Sequence, residues 1–90
     1  MVAERLAVGP YDMVTLTWKD NSDNESGYRI QGATNATFTN NLVTSIVDTN
    51  TTIFLTIIPR FTPYYFRIQA FSSAGESAWV NAQPFPIVTQ

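Results

Sequence analysis

Apolar and polar side chains alternate with a period of two along most of the chain. In residues 13–18, Val14, Leu16 and Trp18 alternate with Thr15 and Thr17, the pattern of a strand with one face in a core. Residues 27–31 repeat it, with Tyr28 and Ile30 on one side and Arg29 and Gln31 on the other. Residues 51–57 put Ile53 and Leu55 on one face and Phe54 on the opposite one. The clearest case is residues 64–71. Tyr64, Phe66, Ile68 and Ala70 share a face, and Tyr65, Arg67, Gln69 and Phe71 share the other. Turn chemistry separates these runs, at Gly9-Pro10, residues 20–27, 48–50, 59–63 and 72–75. No stretch carries an apolar stripe of helical period, and β-branched residues abound. The pattern predicts an all-β chain.

The ends of the chain are less regular. Residues 5–8 read as a short first strand, and residues 37–47 as one or two irregular edge strands. The closing residues 81–89 carry Pro84 and Pro86. A proline cannot donate to a sheet ladder, so this last strand is expected at an edge. Short strands with turn signals every ten or so residues suggest a sandwich or barrel. Trp18 is expected between two sheets, beside Tyr28, Leu55, Phe66 and Ile68.

Composition narrows the chemistry. The 90 residues fit one domain, residues 1–90, and contain neither cysteine nor histidine. Disulfides are therefore excluded, and so are the commonest metal ligand and the commonest general base. The 13% of aromatic residues must then supply much of the core. A net charge of −2 with only five basic residues argues against a nucleic-acid or anionic-membrane surface. No apolar run nears the ~20 residues that a membrane-spanning helix needs.

With the strands laid out, the chain resembles a fibronectin type III domain over nearly its full length. Trp18 matches the family's tryptophan on the second strand. Gly27, Tyr28 and Ile30 match the Gly-Tyr-x-Val/Ile of the third. Ile58, Thr62, Tyr64, Phe66, Arg67, Ile68 and Ala70 occupy the register leading into the sixth, and Gly75 and Ser77 the start of the seventh. The resemblance implies an immunoglobulin-like β-sandwich of about seven antiparallel strands. It also implies a tyrosine corner, in which the Tyr64 hydroxyl bonds to backbone a few residues upstream. Two departures stand out: Ile58 replaces the family's leucine, and Pro-Arg-Phe-Thr-Pro replaces its Pro-Gly turn. The wording around residues 20–31 is most similar to modules of prokaryotic secreted and surface proteins. An extracellular or cell-surface location follows from that likeness. Residues 1–6 hold no secretory leader, which is then expected upstream or already removed.

Candidate chemistry is sparse. Asp20, Ser22 and Asn24 alternate as oxygen ligands would in a calcium loop. That loop would need a glycine at its sixth position and an acid at its twelfth, and both are missing. Residues 20–25 therefore read as a solvated turn, and no metal or cofactor is expected. Serines have no histidine or cysteine to activate them. Asp20, Asp23 and Glu25 on one loop lack an apolar wall to separate their pKa values. The chain reads as non-catalytic. Three sequons, at Asn24, Asn35 and Asn50, fall in predicted loops and are candidate glycosylation sites.

The candidate interaction face joins Arg29, Tyr65, Arg67, Gln69, Phe71 and Trp79, a mixture of aromatic rings and arginine typical of binding hot spots. The competing reading is that these long side chains cover one another, with Trp79 flat on Arg67. Three functional readings remain open. The first is a spacer or adhesion module that contacts neighbouring domains or protein partners, its ends near-opposite. The second is a subunit self-assembling through sheet edges or terminal strands. The third is an accessory domain of a polysaccharide-active enzyme, touching sugar through Tyr65 or Trp79.

Overall fold

The computed structural model describes residues 1–19, 26–59 and 61–83. Among them are eight strands and no helix: β1 (Val2–Val8), β2 (Tyr11–Thr17), β3 (Gly27–Ala33), β4 (Val43–Val47), β5 (Ile53–Pro59), β6 (Tyr65–Ser72), β7 (Gly75–Glu76) and β8 (Val80–Asn81). They build two sheets whose strands pair antiparallel. One has the order β1-β2-β5; the other runs β4-β3-β6-β7, with β8 also on β6. The chain changes sheet after β2, returns for β5, and leaves again for β6. A single parallel bridge, Val2 to Gln83, then joins its last described residue to β1.

The alternation read from the sequence becomes the core. Ala3, Val14, Leu16 and Ile58 from one sheet meet Tyr28, Ile30, Phe66 and Ile68 from the other, with Ala82 closing the cluster. Trp18 stands one residue past β2, where its backbone N–H donates to the Thr52 carbonyl at 3.1 Å. Its ring meets Tyr28 edge-on, with centroids 5.7 Å apart, the geometry favoured by the ring quadrupoles. Gly9 turns the β1–β2 hairpin at φ 62. A tight hairpin needs positive φ at that first central position to match the strand twist. Gly27 opens β3 for a different reason: a Cβ there would lie 2.6 Å from the Val47 carbonyl oxygen.

Several elements differ from expectation. β1 begins at Val2, because it pairs with β2 from Val2↔Thr17 onward. Only Val43–Val47 of the expected 37–47 stretch is strand. Of the closing strand, residues 84–90 lie outside the described residues. Leu55 is not beside Trp18. It is 53% exposed, whereas Phe54 packs against the core. β5 is apolar on both sides, so its own alternation selects neither. The choice is made by pairing, which sets Phe54 opposite the buried Leu16.

The corner between β5 and β6 is held in an unexpected way. The Tyr64 hydroxyl has no hydrogen-bond partner among the described residues, and its ring stacks on Phe66 at 5.9 Å. Instead, the corner is tied by Arg5, which faces inward from β1. Its Nε donates to the Asp12 carboxylate at 2.5 Å, the two side chains being 4% and 1% exposed. Its Nη2 donates to the carbonyls of Pro59 and Thr62, both at 3.1 Å. One guanidinium thus links β1, β2 and the β5–β6 connection.

Two substitutions separate these roles in urea unfolding. Asp12→Asn leaves a buried guanidinium without its counter-charge and should cost about 3–5 kcal/mol. A loss below about 1 kcal/mol would show that the pair is dispensable. Tyr64→Phe removes a hydroxyl without a partner among the described residues and should shift stability by less than about 0.5 kcal/mol. A larger loss would restore the tyrosine corner.

Candidate functional site

Register brings the candidate face together. β3 and β6 pair Gly27↔Phe71, Arg29↔Gln69, Gln31↔Arg67 and Ala33↔Tyr65. Since strand residues two apart share a side, Tyr65, Arg67, Gln69 and Phe71 line up beside Arg29 and Gln31 on the outward surface of the second sheet. Trp79 joins them from the segment just before β8.

Two arginines organise this surface. Arg67 donates from Nε and Nη2 to Gln31 Oε1, at 2.9 and 2.6 Å. Its Cζ lies 4.2 Å from the Trp79 ring centroid and 4.1 Å from that of Phe38. Burial among these groups holds its pKa below the ordinary arginine value, because desolvation disfavours the charged form. Arg29 donates from Nη1 to Gln69 Oε1 at 2.6 Å and to Glu76 Oε1 at 3.3 Å. Its Cζ lies 5.0 Å from the Phe71 centroid. Gln69 is itself buried and donates from Nε2 to the Ser77 carbonyl at 3.0 Å. All six candidate residues therefore sit on one face, where Arg29 contacts Gln69 and Phe71 and Arg67 contacts Trp79. Tyr65 lies beyond Arg67, opposite Ala33, and is half-buried.

Phe38 is the participant that sequence reasoning missed. It lies in the polar β3–β4 connection with φ 56 and is 5% exposed. Asn35 shapes this loop. Its Oδ1 accepts from the backbone N–H groups of Thr39 and Asn40, at 3.0 and 2.9 Å. Its Nδ2 donates to the hydroxyls of Thr37 and Thr39, each at 2.7 Å. The only sequence signal was an apolar residue inside a run of Asn and Thr.

The same geometry separates the sequons. Both amide hydrogens of Asn35 are engaged, so a glycan on Nδ2 would displace one of those bonds. Asn50 is exposed in the turn after β4, its backbone N–H held by Asp48 Oδ1 at 3.1 Å. Asn24 lies outside the described residues, as do Asp20 and Ser22 of the candidate calcium loop. Among the described residues, no three acidic, histidine or cysteine side chains are placed to hold a metal.

Compared with protein-family models and with curated proteins, the sequence gives no match. The geometry itself defines an all-β module of two antiparallel sheets, β-sandwich-like, with a cross-linked polar and aromatic surface on one side.

The link between Trp79 and Arg67 can be measured by a double-mutant cycle in Trp79→Ala and Arg67→Ala. Cation–π pairs contribute about 0.5–1 kcal/mol when exposed and about 2 when desolvated. A half-buried pair should fall between, at about 1 kcal/mol of coupling in denaturant unfolding. Additive losses would show that the contact carries no energy.

Proposed function

We propose that this chain is a non-catalytic, fibronectin type III-like module of a secreted or surface protein, acting as a spacer or adhesion unit. The observation that carries this reading is the pairing order. The first, second and fifth strands form one sheet, and the third, sixth and seventh lie together in the other, as in immunoglobulin-type sandwiches. Trp18 and Tyr28 are in contact, at the positions where the resemblance asks for them. The lack of histidine and cysteine supports the non-catalytic part.

The arginine-bearing face supports a structural role in its resting form. Each guanidinium stacks on aromatic rings and donates to acceptors beside it on this face, contacts that hold both arginines in place. Such a face stiffens the module between its neighbours.

Affinity electrophoresis through gels holding soluble polysaccharides, with parallel capture by sister modules, tests this reading. Trp79→Ala should lower stability while leaving retention and capture as they are in the unaltered chain. Lost retention at near-normal stability would make this face a working surface, and the module an accessory domain of a polysaccharide-active enzyme.

A further inference from the structure

Strand β5 has one edge on β2, and the bonds made there show which backbone groups line its other edge. The Trp18 backbone N–H donates to the Thr52 carbonyl at 3.1 Å, one rung beyond the Thr17↔Ile53 partners of β2 and β5. Bonded and non-bonded rungs alternate in an antiparallel ladder. The register runs unbroken from Tyr11↔Pro59 to Thr17↔Ile53, so the bonded rungs are those of Phe54, Thr56 and Ile58. Ile53, Leu55 and Ile57 therefore turn their N–H and C=O groups away from β2. No strand among the described residues pairs with them there.

The remaining edges are each guarded. β1 carries Glu4 and is bonded near its start by the segment at Gln83, whose carbonyl accepts from the Ala3 N–H at 3.0 Å. β7 and β8 have two residues each. β4 has five, Thr44 and Ser45 among them. Shortness, charge and cover are the usual protections of a sheet edge. β5 has none of them. Its seven residues, Ile-Phe-Leu-Thr-Ile-Ile-Pro, carry no charge, and the proline comes last. An edge of this kind is a template for another strand.

Backbone and side chains together restrict the occupant. Only an extended strand presents N–H and C=O groups at the spacing that Leu55 and Ile57 require. Its side chains must be uncharged, because those of β5 offer no counter-charge. β5 itself meets both conditions. Antiparallel pairing centred on Thr56 sets Leu55 of each copy opposite Ile57 of the other, Phe54 opposite Ile58, and Ile53 opposite Pro59. The sides of the strand are preserved: Phe54 meets Ile58 inward, and Leu55 meets Ile57 outward. Both Leu55–Ile57 rungs then exchange N–H···O=C bonds in each direction. The N–H that proline lacks falls on the outermost rung. The copies are related by a two-fold axis, so the contact closes on itself.

We propose that two copies of this chain pair edge to edge through antiparallel β5 strands, joining their first sheets into one. The pairing is independent of the spacer reading, which rests on strand order and on the face of the other sheet.

Amide hydrogen exchange by NMR, on the unaltered chain at about 0.02 and about 1 mM, reads these backbone groups directly. Phe54 and Thr56, bonded to β2, should be protected at both concentrations. Leu55 and Ile57 should slow at least about fivefold at the higher one. Sedimentation equilibrium should show the mass moving from the 10.1 kDa of one chain toward about 20 kDa. Leu55→Pro removes an edge N–H without touching a bond to β2. It should hold the mass at one chain while the strand signal in circular dichroism persists. Ile46→Lys, exposed on the other sheet, should leave the pairing unchanged. A single-chain mass at about 1 mM overturns the proposal whatever the variants do. So does a dimer whose Leu55 and Ile57 amides exchange as fast as in the dilute chain, or one that Ile46→Lys dissociates, because the copies are then joined elsewhere.

Discussion

The buried contact between Arg5 and Asp12 is the interaction on which the strand alignment rests. Each strand of a two-layer sandwich can give only one side to the interior, and a slip of one residue exchanges the sides. In β5 such a slip would meet little apolar resistance, because Ile53, Leu55 and Ile57 could fill the core as readily as Phe54 and Ile58. The buried charges remove that freedom. Arg5 reaches past Asp12 to the carbonyls of Pro59 and Thr62, so displacing β5 would leave a guanidinium in the interior short of acceptors. An unpaired buried charge is among the most expensive defects a small domain can carry. With no disulfide available, this polar clasp takes over the task of fixing which residues oppose which.

The two outer surfaces resolve the same problem differently. On the second sheet, long side chains fold over the strands: Arg67 covers Phe38 and Trp79, and Arg29 covers Phe71. Apolar ring faces are thereby shielded by flat cations whose edges still find acceptors. The first sheet has no such cover. Apart from Glu4, Tyr11, Met13 and Pro59, its outward residues are threonines or branched aliphatics, too short to lie across their neighbours. The contrast arises from side-chain length as much as from polarity.

Much of this was legible in the sequence wherever the two sides of a strand differ. Residues 64–71 alternate so strongly that the inward and outward sets could be assigned directly, and the face joining Arg29 to Trp79 followed from it. The reading weakened where both sides were alike, as at Phe54 and Leu55, because only the partner strand could decide. Phe38 escaped because a positive φ and the Asn35 hydrogen bonds turn a polar loop inward, which no periodicity encodes. The inward role of Arg5 escaped too. A charged residue in a short apparent strand reads as solvent-facing unless its counter-ion is known, and Asp12 lies across a hairpin from it. Tyr64 was correctly placed on the inner side, but the bond assigned to its hydroxyl belongs functionally to the arginine.

The bridge between Val2 and Gln83 has a mechanical meaning. Two hydrogen bonds flank it, from the Ala3 N–H to the Gln83 carbonyl at 3.0 Å and from the Gln83 N–H to the Met1 carbonyl at 2.9 Å. Because the two segments run in the same direction, tension drawing Met1 backward and Gln83 onward slides them past one another. Bonds set across the direction of pull are then strained together, instead of parting in succession as they do when a hairpin is peeled open. The outermost strand is therefore fastened in the geometry best suited to bearing a load along the chain.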